Sequence, residues 1–598
     1  MTGAATGGPD RAAGTAAPLR VANCSGFYGD RLSAAREMVE GGPVDFLTGD
    51  YLAELTMLIL WKSAQRSVGT GYATTFLRQM EEVLGTCVDR GIRVVTNAGG
   101  LNPAGLAEKI RELAERIGTP VNVAHIEGDD LLGRLDELVA TGVRLDHMDT
   151  GRPWSDLPGK PVTANAYLGA WGIVEALSGG AQVVVCPRVT DASVVVGPAA
   201  WHFGWRREDW DALAGAVVVG HILECGAQTT GGNYSFFTDI PDLRRPGFPV
   251  AEMYADGSAV ITKHPGTGGA VSVGTVTAQL LYEIGAPTYM NPDVVARFDT
   301  ISLDQEGPDR VRVSGVRGLP APDRYKVCVN YLGGYRNTMT FVLTGLDIEA
   351  KAAVAEAALF DLLGGRDRFS EVDVRLVRTD KPDAPTNAEA SAELRVTVKD
   401  PDPTRVGRAF SGAATALALA SYPGFHTAAP PGDESAYGVY WPTLVPADVV
   451  DQVVVAADGA VTHVRPTVAT GPGPQAPAPV TTTDAPAGPT RRLPLGTIFG
   501  ARSGDKGGNA NVGVWARTAE AYAWLDRNLT TERFKELVPE AAGLEVRRYE
   551  LPNLNAVNFV VVGILGEGVA SSTRPDPQAK SLGEYLRSRL VDLPEALL

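Results

Sequence analysis

Cysteine is scarce and scattered in this chain. Five occur in 598 residues, at Cys24, Cys87, Cys186, Cys225 and Cys328, and no two form a CxxC pair. That spacing excludes a zinc ribbon and a disulfide framework, and it fits a reducing cytoplasm. No apolar run approaches the roughly 18 residues of a membrane span. The opening stretch MTGAATGGPDRAAGTAAP lacks the basic and apolar parts of a signal peptide, so residues 1–18 are expected to be a disordered tail. Lys and Arg together number 54 against 70 Asp and Glu, a net charge of −16, which excludes a broad nucleic-acid surface. Three signatures are also missing. No GxGxxG follows the first expected strand, no GxxxxGK[ST] occurs, and no GxSxG elbow occurs. A classical NAD site, a Walker loop and an α/β-hydrolase are therefore unsupported.

What is present is strand–helix alternation. From Leu19 to about Ala200, short apolar strands such as LRVANCSG, GPVDFLTGDY, RGIRVVTNAGG, TPVNVAHIEGD and AQVVVCPRVTDAS alternate with amphipathic helices such as PAGLAEKIRELAERIG. The alternation predicts an α/β domain with a parallel sheet over 19–200. From 201 to 465 strands become more frequent, and the pattern predicts an α+β domain with much antiparallel sheet. Residues 466–492 are rich in Pro, Ala and Thr and cannot build a core, so they read as a linker. Residues 493–592 read as a small α+β domain.

Polar residues gather where the N-terminal strands end. Asp50 follows FLTG, Asn97 follows VVT, and Arg188, Thr190 and Asp191 follow VVVCP. Ligands of parallel sheets bind at those ends. Taken singly, each residue also fits a helix cap. The segment GHILECGAQTTGGN carries the fullest chemistry. His221 lies one helical turn before Glu224 and Cys225, a spacing that suits an acid–base pair beside a thiol, with Thr229, Gly232 and Asn233 following to contact substrate. His221 and Glu224 could hold a metal only if His125, Asp191 or His264 folded nearby to supply a third ligand, so no metal is assigned. A glycine loop flanked by Lys263 and His264 suits an anion or a capped helix start. A second such loop, RSGDKGGN, offers Arg502, Ser503, Lys506, Gly507 and Asn509 to a phosphate, or makes an ordinary hairpin.

The chain resembles the acyclic terpene utilisation AtuA family. The resemblance rests on CSGFYGDR (Cys24 to Arg31), LTGDYLAELTM (Leu47 to Met57), TNAGGLNP (Thr96 to Pro103), PRVTDASVVVGP (Pro187 to Pro198) and GHILECGAQTTGGNYSFF (Gly220 to Phe237). It continues in LGTIFGARSGDKGGNANVGVW, similar to the family's small C-terminal domain, which implies a ferredoxin-like fold there. Pro187 stands where a relative's glycine is expected. The resemblance implies work on branched or terpenoid acids as coenzyme A thioesters. The expectation is a cytoplasmic homo-oligomer acting on an acyl-CoA by lyase or hydratase chemistry. It needs no tightly bound cofactor, no nucleic acid and no membrane, and coenzyme A enters as part of the substrate. His221, Glu224, Cys225, Asp50 and Asp191 would be catalytic. Asn97, Arg188, Thr190, Thr229, Gly232, Asn233, Lys263 and His264 would bind substrate, and the Arg502–Asn509 loop would hold the coenzyme A phosphate. Two alternatives stay open: transfer or cleavage at the thioester with Cys225 or an external thiol as nucleophile, and a non-catalytic binding or scaffold subunit.

Overall fold

The computed structural model describes residues 17–467, 486 and 488–598. Residues 1–16 of the expected tail, and 468–485 and 487 of the expected linker, lie outside them. Five parallel strands form the centre of an 11-stranded sheet, in the order Leu19–Asn23, Phe46–Gly49, Arg93–Thr96, Val183–Val185 and Val123–Glu127. The all-valine strand Val183–Val185 is buried on both faces, as a continuous apolar run in a parallel sheet should be. Side chains alternate between two cores. Val21, Val95 and Val184 enter one, and Ala22, Val94 and Val183 enter the other.

The division expected at residue 200 does not follow the sheet. Antiparallel strands Pro249–Met253, Ala259–Lys263, Arg310–Ser314 and Ser302–Gly307 extend one edge, and Gln452–Val455 and Val461–Val464 extend the other. The change in pattern near residue 200 marks a change of strand direction within one sheet. The helix Trp210–Glu224 is apolar all round and buried from Leu213 to Glu224. It sits close because Gly220 faces Ala192, where a Cβ would meet backbone at 2.7 Å.

The second sheet is organised by one strand of 21 residues, Arg324–Thr344. A register shift at Leu332 and Gly334 (φ 131°) divides it into two halves. The first half pairs with Pro161–Ala166 and the strand Ser435–Pro446. The second half pairs with Ser391–Asp400, which in turn pairs with Glu371–Val377. Helices Ile348–Leu363 and Arg408–Ala416 cover this half and give it a separate apolar core. It is called the distal lobe below.

The C-terminal domain is a four-stranded antiparallel sheet ordered Gly500–Lys506, Asn509–Trp515, Ala556–Val561, Val546–Leu551. Helices Ala519–Asn528, Thr531–Leu537 and Leu582–Arg587 complete it. The stretch read as a glycine loop is mostly strand. Pairing continues to Lys506 opposite Asn509, and only Gly507 (φ 64°) and Gly508 turn the chain. This hairpin lies on the body. Gly504 and Gly513 leave no room for a side chain against Tyr282 and Leu281, so the two backbones meet closely there.

Candidate functional site

Helix and strand ends meet the C-terminal hairpin above the parallel sheet. Asp50 leaves its strand, and Asn97 holds it from the next one: Asn97 Nδ2 donates to Asp50 Oδ1 at 2.5 Å, while Asn97 Oδ1 accepts from Tyr51 N at 2.8 Å. Asn97 thus positions Asp50 through both polar ends of its amide. Glu224 arrives on the last turn of its helix and Asp191 on the loop after Val183–Val185. One carboxylate oxygen from each of Asp50, Asp191 and Glu224 lies within 4.8 Å of the others.

These carboxyls do not share one environment. Arg188, 2% exposed, donates to Asp191 at 3.2 Å and to Leu52 O at 2.7 Å, and stacks over the Tyr167 ring at 4.2 Å. Burial raises the Asp191 carboxyl, and Arg188 opposes the rise. Burial, then the Asp191 charge, lift Asp50 and Glu224 well above the usual carboxylate range. All three carboxyls are thus lifted by burial, and the Arg188 guanidinium favours the charged form at Asp191 most directly. His221 is 1% exposed, and its Nδ1 lies 2.9 Å from Glu224 Oε1 without hydrogen-bond alignment. Burial, helped by Lys506, pushes its imidazole down to about 4, so the ring is neutral.

Other groups, unforeseen from sequence, close the ring. Tyr167 Oη donates to Glu54 at 2.7 Å, and Lys326 Nζ lies 3.3 Å from the same carboxylate. Burial works against the charge on Glu54, but Lys326, Arg188 and that hydroxyl together hold it below the carboxylate range. Burial raises Glu283 and Tyr289 first, the nearby Glu224 and Asp191 add to it in both, and Glu54 adds to it in Glu283. Burial, with Glu54 adding to it, raises Asp505 to about 7.

Asp191, Lys326 and Glu283 are half-buried, with 32%, 34% and 37% of their side-chain surface accessible. Two small cavities open along the seam between body and C-terminal domain. One of about 50 Å³ touches Glu54, Asn330, Tyr440 and Asp505, and one of about 70 Å³ touches His147, Tyr440, Trp441 and Glu567. Lys506 is exposed at this seam and donates to Glu283 O at 2.9 Å.

Several expected residues are occupied elsewhere. Thr190 and Ser193 hydroxyls bond at 2.6 Å, and Thr229 Oγ1 donates to Ile222 O at 2.5 Å. Asn233 is exposed in the left-handed region (φ 58°), and Gly232 sits against Ala227 O. Lys263 pairs with Asp309 at 3.2 Å, and His264 bonds Met38 O at 2.9 Å. The glycine loop between them leads into a capped helix: Ser272 and Thr275 form a capping box on Val273–Leu280, which consumes the donors offered to an anion. Arg502 bonds Gln228 and stacks on Tyr282 at 4.4 Å, and Ser503 accepts from Gly583 N at 2.8 Å. Asn509 Oδ1 accepts from Gly563 N at 2.9 Å, while Gly507 faces Tyr440. Of that hairpin's expected phosphate ligands, Lys506 keeps an exposed cation at the cleft mouth. Cys225 caps the His221 helix, and burial, with the Glu224 charge, keeps its thiol protonated.

In parallel α/β cores small molecules bind beyond the carboxyl ends of the strands, and the carboxyl cluster lies at those ends. Residues 19–456 match the family model described as acyclic terpene utilisation family protein AtuA, and residues 493–592 match that of the AtuA ferredoxin-like domain. The chain belongs to the acyclic terpene utilisation AtuA family, with the ferredoxin-like domain fused behind the main body. No curated protein and no solved structure matches it. Among the described residues no helix is long and apolar enough to cross a membrane.

Proposed function

We propose that the protein adds water to, or removes it from, an acyl thioester of coenzyme A during the use of acyclic terpenoid acids. The observation that carries this reading is the carboxyl cluster itself: Asp191 hydrogen-bonded to Arg188, which favours its charged form, and Glu224 next to it, which burial and the Asp191 charge lift well above the usual carboxylate range. Two adjacent carboxyls whose environments push them apart are a base and an acid. In the hydration direction Asp191 takes a proton from water as its oxygen bonds the β-carbon. The α-carbon takes a proton from Glu224. Proton exchange between the two carboxyls and solvent then restores the starting state. His221 has almost no accessible surface and acts through Glu224, as a positioning residue. Lys506 and Lys326 favour the anionic end of the substrate, and family membership supports the terpenoid acyl chain. The protonated Cys225 disfavours transfer through that thiol.

The test is to incubate the full chain with branched 2-enoyl and 3-hydroxyacyl esters of coenzyme A and follow mass. Gain or loss of one water is expected, and Glu224→Gln should suppress it. Wild-type protein that binds these esters and converts none of them would leave the scaffold reading standing instead.

A further inference from the structure

Asp50 and Asp400 are buried to the same extent, but their surroundings differ. Among the described residues, no Lys or Arg nitrogen lies within 4.0 Å of an Asp50 or Glu224 carboxylate oxygen. Three buried or half-buried carboxyls nonetheless present one oxygen each inside a 4.8 Å triangle. A shared proton bridges two oxygens about 2.5–2.7 Å apart and does not reach a third at this spread. A hard divalent cation binds oxygens at about 2.0–2.6 Å and so holds its ligand atoms up to roughly 4–5 Å from one another. Three oxygens all within 4.8 Å of one another can share such an ion.

A second observation points the same way and does not come from the acidic residues. The His221 ring is 1% exposed and neither ring nitrogen has a hydrogen-bond partner, although Nδ1 lies 2.9 Å from Glu224 Oε1. Glu224 Oε2 is buried without a partner as well. Polar atoms at that depth ordinarily have partners. We infer that Asp50, Asp191 and Glu224 form a binding site for one hard divalent cation, such as Mg²⁺ or Mn²⁺, with His221 beside it. The all-oxygen set selects magnesium, manganese or calcium over zinc or copper. Three protein ligands leave positions open, and 32% of the Asp191 side chain is accessible, so water or a substrate oxygen can complete the shell. Cation and protons compete for the same oxygens. A bound ion would itself supply the activation of water, and Glu224 would then serve as a deprotonated ligand, so its role as a proton donor belongs to the metal-free protein.

This inference uses the cleft and not the thioester reading, so the test contains no thioester. Full-length protein is freed of metal with a chelator and titrated with Mn²⁺, read by loss of the free-ion paramagnetic signal and by melting temperature. The expected result is one Mn²⁺ per chain, with affinity at least tenfold weaker in both Asp50→Asn and Glu224→Gln. In chelator alone these variants should melt at or above wild type, since each removes one of three crowded acids. That second measurement separates lost ligation from lost folding. No saturable binding to wild type, or binding unchanged in both variants, overturns the site. If Mn²⁺ binds as expected while no acyl ester is converted, the cation site stands and only the thioester reading falls.

Discussion

The cleft and the distal lobe treat buried acids in opposite ways. Asp400 in the lobe is 4% exposed and collects Asp402 N at 2.9 Å, Ser370 N at 3.2 Å and Arg405 at 3.4 Å. Lys399 pairs with Glu371 across the same strands at 2.8 Å. Asp50 is 5% exposed and receives Asn97, Leu52 N and two further carboxyls. The lobe satisfies its acids and gains rigidity. The cleft crowds its acids and stores the repulsion. A protein tolerates such crowding where chemistry needs a proton or an ion held at one spot.

The strongest break of that contrast is to swap the two kinds of acid for their amides. Glu224→Gln should lower turnover by about 10²–10⁴-fold, the usual worth of a positioned acid or base, with the fold intact. Asp400→Asn should do the reverse: activity per folded molecule stays, and stability falls by about 1–3 kcal/mol because backbone donors lose a charged acceptor. Steady-state rates beside denaturant unfolding check both. A Glu224→Gln protein with full turnover would mean that the crowded acids are only structural.

A smaller effect concerns the cleft mouth. Lys506→Ala should weaken acyl-CoA binding roughly 10–100-fold, as expected for one lost charge-assisted contact. A truncated thioester without the nucleotide should bind both proteins alike in calorimetry. Equal losses for the two ligands would remove Lys506 from the phosphate.

The pH dependence of stability sharpens the comparison further. Asp50 and Glu224 keep their protons to higher pH folded than unfolded. Their contribution is full below the ordinary carboxylate range and disappears as pH rises through their elevated values. His221 works the other way. Its contribution is full above the ordinary histidine value and is lost as pH falls through about 4. Unfolding in chelator across pH 4 to 9 should therefore show a falling alkaline limb, and Asp50→Asn should flatten it. An identical limb in wild type and variant would deny the raised carboxyls. The smallest effect is expected at Cys225: Cys225→Ser should change the rate by no more than about twofold, because a protonated thiol takes no part in bond making.

Much of this arrangement was legible in the sequence. The valine run located a buried parallel strand, and strand-end polarity located Asp50, Asn97, Arg188 and Asp191. The His221–Glu224 spacing placed those two on one helical face. What escaped came from distant segments. Lys326 lies in a long strand and Glu283 just past a helix end, and only the closing of the second sheet and the C-terminal domain brings them to Glu54. Arg502 and Ser503 misled for a related reason. Glycine beside charge reads as a loop, but here the glycines let one backbone lie against another, and the charges are spent in that contact.

That contact has its own consequence. Asn511 Nδ2 donates to Leu281 O at 2.7 Å, its Oδ1 accepts from Glu283 N at 2.8 Å, and Asn558 Nδ2 donates to Gly285 O at 2.8 Å. Asn511 and Asn558 also bond each other at 2.9 Å. Neutral amides clasp the main chain of the body here, and added salt does little to bonds of that kind. The peptide connection between residues 467 and 488 is then dispensable for assembly. Body and C-terminal domain synthesised as two separate polypeptides should find each other, even at high ionic strength, and restore activity that neither has alone.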